Sequence, residues 1–126
     1  MLNLNNVMLG TDDLNTLSAF YSELFQKEPD MKDDTYHGWL VGSTFFSIGY
    51  HSEVGNKSKD PNRIMLNFET KEVKEEFERI KGIKGTSVIK EPYELQGAWI
   101  ATLADPDGNY FQLMTPWDNM MEQPKE

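Results

Sequence analysis

Apolar residues at Leu4, Val7 and Leu9, followed by the polar break Thr11-Asp12-Asp13, predict a short first strand over residues 4–11. Asp12 and Asp13 offer capping oxygens and favourable charge for a helix beginning near Leu14. Within it Leu14, Leu17, Tyr21, Leu24 and Phe25 recur at helical spacing and Phe20 widens the stripe, with an end expected near Gln26, ahead of Pro29. After a polar stretch at residues 30–35, the apolar runs 36–41 and 44–50 flank Gly42-Ser43, the pattern of a β-hairpin. The run from His51 to Asn62, with Gly55, lysines, Ser58, Asp60 and Pro61, has the composition of an exposed connection.

A second cycle follows. Ile64-Met65-Leu66-Asn67-Phe68 predicts a strand, and Thr70 is placed to cap a helix with Val73, Phe77 and Ile80 on one face. Three further strands are expected over residues 86–90, 99–104 and 109–115. Asp105-Pro106-Asp107-Gly108-Asn109 between the last two is a turn signal, with Pro106 pre-setting one backbone angle and Gly108 free to take a positive one.

The cycles superpose: Asn6 to Leu14 lies over Met65 to Val73, and Thr44-Phe45-Phe46-Ser47-Ile48 lies over Asn109-Tyr110-Phe111-Gln112-Leu113. The expected fold is therefore α+β, two copies of one βαβββ unit in a single domain over residues 1–126, with modules 1–58 and 59–126.

Composition narrows the function. Hydrophobic residues make up 38% and charged residues 26% of the 126, as in an ordinary globular protein. Twelve basic against twenty-one acidic side chains give a net charge of −9, which would repel nucleic-acid phosphates and anionic membranes. The absence of cysteine excludes disulfides, thiolate metal sites and a cysteine nucleophile. No signal-peptide pattern and no apolar run of membrane-spanning length is present, so a cytoplasmic location is expected by default. No Gly-x-Ser-x-Gly turn or phosphate-binding glycine loop occurs, and His37 and His51 do not form a close helical pair.

Three stretches carry a resemblance across nearly the whole chain: Asp13-Leu14 through Ala19-Phe20-Tyr21, Arg63 to Glu69, and Ile100 to Leu113 with its Asp-Pro-Asp-Gly-Asn turn. In these the chain resembles the vicinal oxygen chelate superfamily of glyoxalases, bleomycin-resistance proteins, fosfomycin-resistance enzymes and extradiol dioxygenases. The resemblance implies two βαβββ modules whose mixed sheets curl into cups, a reacting centre inside them, and pairing into homodimers. It also implies metal ligands, usually His, Glu or Gln, from the first and last strands of the modules. In this sequence those places fall at Asn6, Ser47, Met65 and Gln112, of which only Gln112 keeps a ligand type. One neutral amide does not hold a divalent cation by itself.

The expectation is therefore a protein that binds a small organic molecule with no metal cofactor. The alternative is a divalent-metal glyoxalase-like lyase or isomerase, or a dioxygenase; no catalytic residue is assigned. Strand alternation places Asn6, Met8, Phe45, Ser47, Met65, Asn67, Tyr110 and Gln112 on the faces of those four positions, as ligand-binding candidates. Trp39 and Trp99, read as lying on neighbouring strands, join them as stacking surfaces. His51, Lys57, Lys59 and Arg63 form a basic grouping, read chiefly as a solvated connection, and Trp117, Met120 and Met121 could form an apolar contact patch.

Overall fold

The computed structural model of the chain describes residues 1–55 and 57–116, so the patch of Trp117, Met120 and Met121 lies outside the described residues. Two compact units form, Met1–Lys57 and Ser58–Glu126.

Unit 1 runs β1 (Asn6–Thr11), α1 (Leu14–Phe25), β2 (Met31–Lys32), β3 (Tyr36–Val41) and β4 (Thr44–Tyr50), with sheet order β1-β4-β3-β2. Because α1 carries the chain back across the sheet, β1 pairs parallel with β4, while β4–β3 and β3–β2 are antiparallel. The apolar stripe of α1 buries Leu17, Phe20, Tyr21 and Leu24. On the sheet side it meets aromatic rings, with Tyr21 and Phe46 centroids 4.7 Å apart and Phe25 and Trp39 5.7 Å apart. Such pairs add about 0.5–1.5 kcal/mol each beyond the area they bury. Asp13 caps α1 by accepting the Thr16 N–H at 3.2 Å, and Gln26 closes it in the left-handed region at φ 59°. The indole Nε1 of Trp39 donates to the Lys27 carbonyl just beyond, at 3.2 Å.

The polar stretch at 30–35 holds β2, too short for any periodicity to reveal. Asp30 extends its pairing: its N–H donates to the Gly38 carbonyl at 2.8 Å, and its Oδ2 accepts the Leu40 N–H at 2.7 Å and the Lys27 ammonium at 2.8 Å. The Lys27 bond first, and then the Leu40 bond, hold the Asp30 carboxyl below its ordinary range.

Unit 2 repeats the order: β5 (Leu66–Glu69), α2 (Val73–Lys81), β6 (Ser87–Leu95), β7 (Ala98–Ala104) and β8 (Tyr110–Met114), with sheet order β5-β8-β7-β6 and β5 parallel to β8. Val73, Phe77 and Ile80 of α2 are buried with Leu103, Phe111 and Leu113 of the sheet. Each unit is thus a βαβββ motif with an open four-stranded mixed sheet, and the chain has the expected α+β fold.

Three local expectations change. Thr70 is not the cap of α2: its hydroxyl accepts the Glu72 N–H at 3.1 Å one turn earlier, and Glu72, which makes no side-chain cap bond, is the N-cap. Thr11 accepts the Asp13 N–H at 3.0 Å in the same way, so both helices are entered through a threonine turn. β5 begins at Leu66, leaving Met65 just before it. β6 continues to Leu95 and turns into β7 through Gln96 and Gly97, both with positive φ (53° and 85°), as a two-residue hairpin of the I′ kind demands. The Asp105 turn is as predicted, with Gly108 at φ 82° and its N–H on the Asp105 carbonyl at 2.9 Å. Asp105 is buried, and its carboxylate accepts the Asp107 and Asn109 N–H groups and the Asn109 side-chain amide, each at 2.9 Å.

Candidate functional site

Side chains of paired residues on adjacent strands project from the same face, so the registers define rows across each sheet. On the helix-free face of unit 1, one row is Met8, Ser47, Gly38 and Met31, and its neighbour is Asn6, Phe45 and Leu40. Gly38 lets the Phe45 ring lie flat over the backbone: a Cβ there would sit 2.6 Å from Phe45 Cε2. Gly49 seats the Met8 sulfur in the same manner, at 3.3 Å from the place a Cβ would take. Met8, Met31 and Leu40 are 52%, 54% and 54% exposed, so this face is open and largely apolar. Ser47 is completely buried and donates to the Val7 carbonyl at 3.4 Å, so its hydroxyl proton is used within the protein.

The corresponding row of unit 2 is Asn67, Gln112, Thr102 and Lys90, and beside it lie Glu69, Met114, Ile100 and Tyr93. Tyr110 shares this face, paired with Ala104. Gln112 Nε2 donates to Thr102 Oγ1 at 3.2 Å, which fixes the orientation of the amide, while Asn67 is exposed. Lys90 Nζ sits 5.0 Å from the Tyr93 ring centroid. Lys90, Tyr93, Thr102, Ile100 and Met114 were not among the sequence candidates, although alternation from Gln112 through the predicted turn reaches Thr102 and Ile100.

Neither tryptophan stands on a helix-free face. Trp39 pairs with Phe46 on the helix-facing side of its sheet and is 0% exposed, a core residue. Trp99 belongs to the other unit, pairs with Glu94 on the helix-facing side, and lies under the Lys74 ammonium of α2, 3.9 Å from its ring centroid. The two are on strands of different sheets, not neighbouring strands.

His37 is also a core group, 4% exposed, with Nδ1 2.6 Å from the Ser18 hydroxyl of α1. Burial first, and then the charge of Lys32, hold its imidazole below the ordinary range, with Asp33 opposing in part. His51 is exposed and accepts the Glu53 N–H at 3.2 Å, and Arg63 forms an exposed 3.8 Å pair with Asp60.

The four ligand positions supply two amides, a hydroxyl and a thioether at Asn6, Gln112, Ser47 and Met65. All four are neutral groups, weaker ligands for a hard divalent ion than carboxylate or imidazole; the Ser47 proton is engaged by the Val7 carbonyl, while the Gln112 N–H bond to Thr102 leaves the amide Oε1 as an acceptor. Among the described residues, no group of three or more His, Cys, Asp or Glu side chains is placed to hold a metal ion, and no helix is long and apolar enough to cross a membrane.

Residues 6–114 match the model of a family described as the glyoxalase-like domain. No curated protein matches the chain. Among solved structures, a hypothetical protein SA1046 from S. aureus aligns at 22% identity and TM-score 0.75 over 92% of this chain and 95% of that one. A glyoxalase/bleomycin resistance protein/dioxygenase family enzyme from Burkholderia phytofirmans aligns at 23% and 0.74, over 90% and 98%. The fosfomycin resistance protein FosX from Listeria monocytogenes aligns at 24% and 0.70, over 92% and 94%.

Proposed function

The chain belongs to the glyoxalase-like domain family, within the vicinal oxygen chelate superfamily, and on that premise we propose that it binds a small organic molecule on the helix-free faces of its sheets, without the superfamily metal. The observation that carries this reading is the row Asn67, Gln112 and Thr102, three hydrogen-bonding side chains in register on one sheet face. Hydrophobic Ile100 and Met114 and the ring of Tyr93 stand beside them, giving the mixture of apolar wall and few fixed polar groups that organic ligands need. In unit 1 the same reading takes apolar Met8 and Phe45 with the amide of Asn6, and in unit 2 it adds Tyr110 on the face of the polar row and Met65 just before β5. Homodimer pairing and a cytoplasmic location belong to the same proposal.

The test pairs metal analysis with a compound screen. Elemental analysis and titration with zinc, nickel, manganese and iron(II) should find no stoichiometric ion. A set of aromatic and heteroaromatic compounds should contain members that shift the side-chain amide resonances of Asn67 and Gln112. A tightly held metal lost on Gln112→Ala would replace this reading with the metal-dependent lyase or isomerase. Failure of every compound to move those resonances would sink the binding reading itself.

A further inference from the structure

Strand β6 is irregular in two places, and both flank Lys90. Val88 pairs with Leu103 and Lys90 with Thr102, two steps on β6 against one on β7; Lys90 and Tyr93 then span three residues against the two from Thr102 to Ile100. These are successive β-bulges. Regular alternation from Val88 would put Ile89 opposite Thr102 on the helix-free face; the first bulge puts Lys90 there instead. The second brings Tyr93, rather than Pro92, opposite Ile100, so that cation and ring stand on one face 5.0 Å apart. A bulge re-aims a side chain at a cost in ladder hydrogen bonds, and here two of them serve one lysine.

We propose that Lys90, with Thr102 and Gln112, forms a subsite for an oxyanion of the bound molecule, a carboxylate or an equally charged group. The proposal rests on the small-molecule reading above and adds the charge class of the ligand. Gln112 donates to Thr102 Oγ1 at 3.2 Å, so the Thr102 proton is directed to another acceptor, and its neighbour in the row, Lys90, has donors only. An anionic oxygen in front of both accepts from hydroxyl and ammonium together, a charge-assisted arrangement roughly twice as strong as a neutral one. The surrounding acids do not fill this place. Glu94 pairs with Trp99 on the opposite face, Glu91 lies within the second bulge, and Glu69 is on β5, at the other edge of the sheet. The net charge of −9 acts at long range and is screened over about 8–10 Å at ordinary ionic strength, which leaves the contact itself to decide.

The experiment titrates the full chain with benzoate and with its neutral isostere benzamide, following the Gln112 and Asn67 side-chain amide resonances. Wild type, Lys90→Met and Lys90→Arg are compared, with thermal melts to show that each folds; Lys90 is exposed, so all three should. Wild type should bind benzoate roughly tenfold or more tightly than benzamide, from the strength of hydrogen bonds to charged groups. Lys90→Met should abolish that preference while leaving benzamide binding unchanged, and Lys90→Arg should restore most of it. Equal binding of the two probes, or a benzoate preference that survives Lys90→Met, overturns the subsite and leaves the small-molecule reading standing. No response to either probe also overturns the subsite, and the compound screen then decides separately on binding.

Discussion

Position for position, Met8, Ser47, Gly38 and Met31 in unit 1 stand where Asn67, Gln112, Thr102 and Lys90 stand in unit 2. The opposite faces differ far less: Val7, Phe46 and Trp39 in one unit answer Leu66, Phe111 and Leu103 in the other, each row apolar and facing its helix. One motif is therefore used twice with its helix side held to a single requirement, the exclusion of water, while its open side is free to be greasy in one copy and hydrogen-bonding in the other. The aromatic payload is unequal as well. Unit 1 packs Tyr21, Phe25, Trp39 and Phe46 into one ring cluster, whereas among the described residues unit 2 sets Phe68 against Phe111 at 5.9 Å.

The sharpest way to break this comparison is at the two tryptophans. Trp39→Ala empties the centre of the unit 1 core and should cost about 3–5 kcal/mol. Trp99→Ala removes a half-buried ring and its Lys74 contact and should cost about 1–2 kcal/mol. Chemical denaturation of both variants checks the difference, and equal losses would mean that Trp99 is as much a core residue as Trp39. The next effect lies in the equivalent pair Gly38 and Thr102. Gly38→Ala drives a methyl group into the Phe45 ring and should destabilise by about 1–3 kcal/mol, as overpacking does. Thr102→Ala loses one hydrogen bond from Gln112, about 1 kcal/mol, and should release the Gln112 amide resonance from its fixed position. The smallest contrast is at the helix entrances, where Asp13→Ala should cost about 1 kcal/mol and Glu72→Ala close to nothing, because only Asp13 makes a cap bond. Thermal melts resolve the two, and a large loss at Glu72 would point to a contact beyond capping.

The fold was legible because its signals are local and repeated: two amphipathic helices, two acidic helix entrances, and tight turns at Gly42-Ser43 and Asp107-Gly108. The open faces were half legible. The Gly42-Ser43 turn pairs Val41 with Thr44, so counting back places Leu40 beside Phe45 and Trp39 beside Phe46, on the core side. Pairing Ala104 with Tyr110 sets Trp99 on the opposite parity from Gln112 in the same way. Both tryptophans could have been assigned to the helix side by counting from a turn already in hand; size and aromaticity alone were the weaker guide. Lys90 could not have been found this way. Alternation is the signal that assigns strand residues to faces, and two bulges within six residues break the count on either side of that lysine. β2 was invisible for a different reason, since a strand of two residues has no period and is held by the Asp30 and Lys27 side chains.

The irregularity of β6 has a second effect, on what the sheet can attract. Among the described residues β6 is the longest strand, and it lies at one border of its sheet, where one row of N–H and C=O groups has no strand partner within that sheet. A straight border of nine residues would be a template for another extended chain. Two bulges twist it out of register, Pro92 removes a donor, and Lys90 adds a charge, each a recognised guard against intermolecular strand addition. The same distortion that aims the lysine also makes this border a poorer template for strand addition.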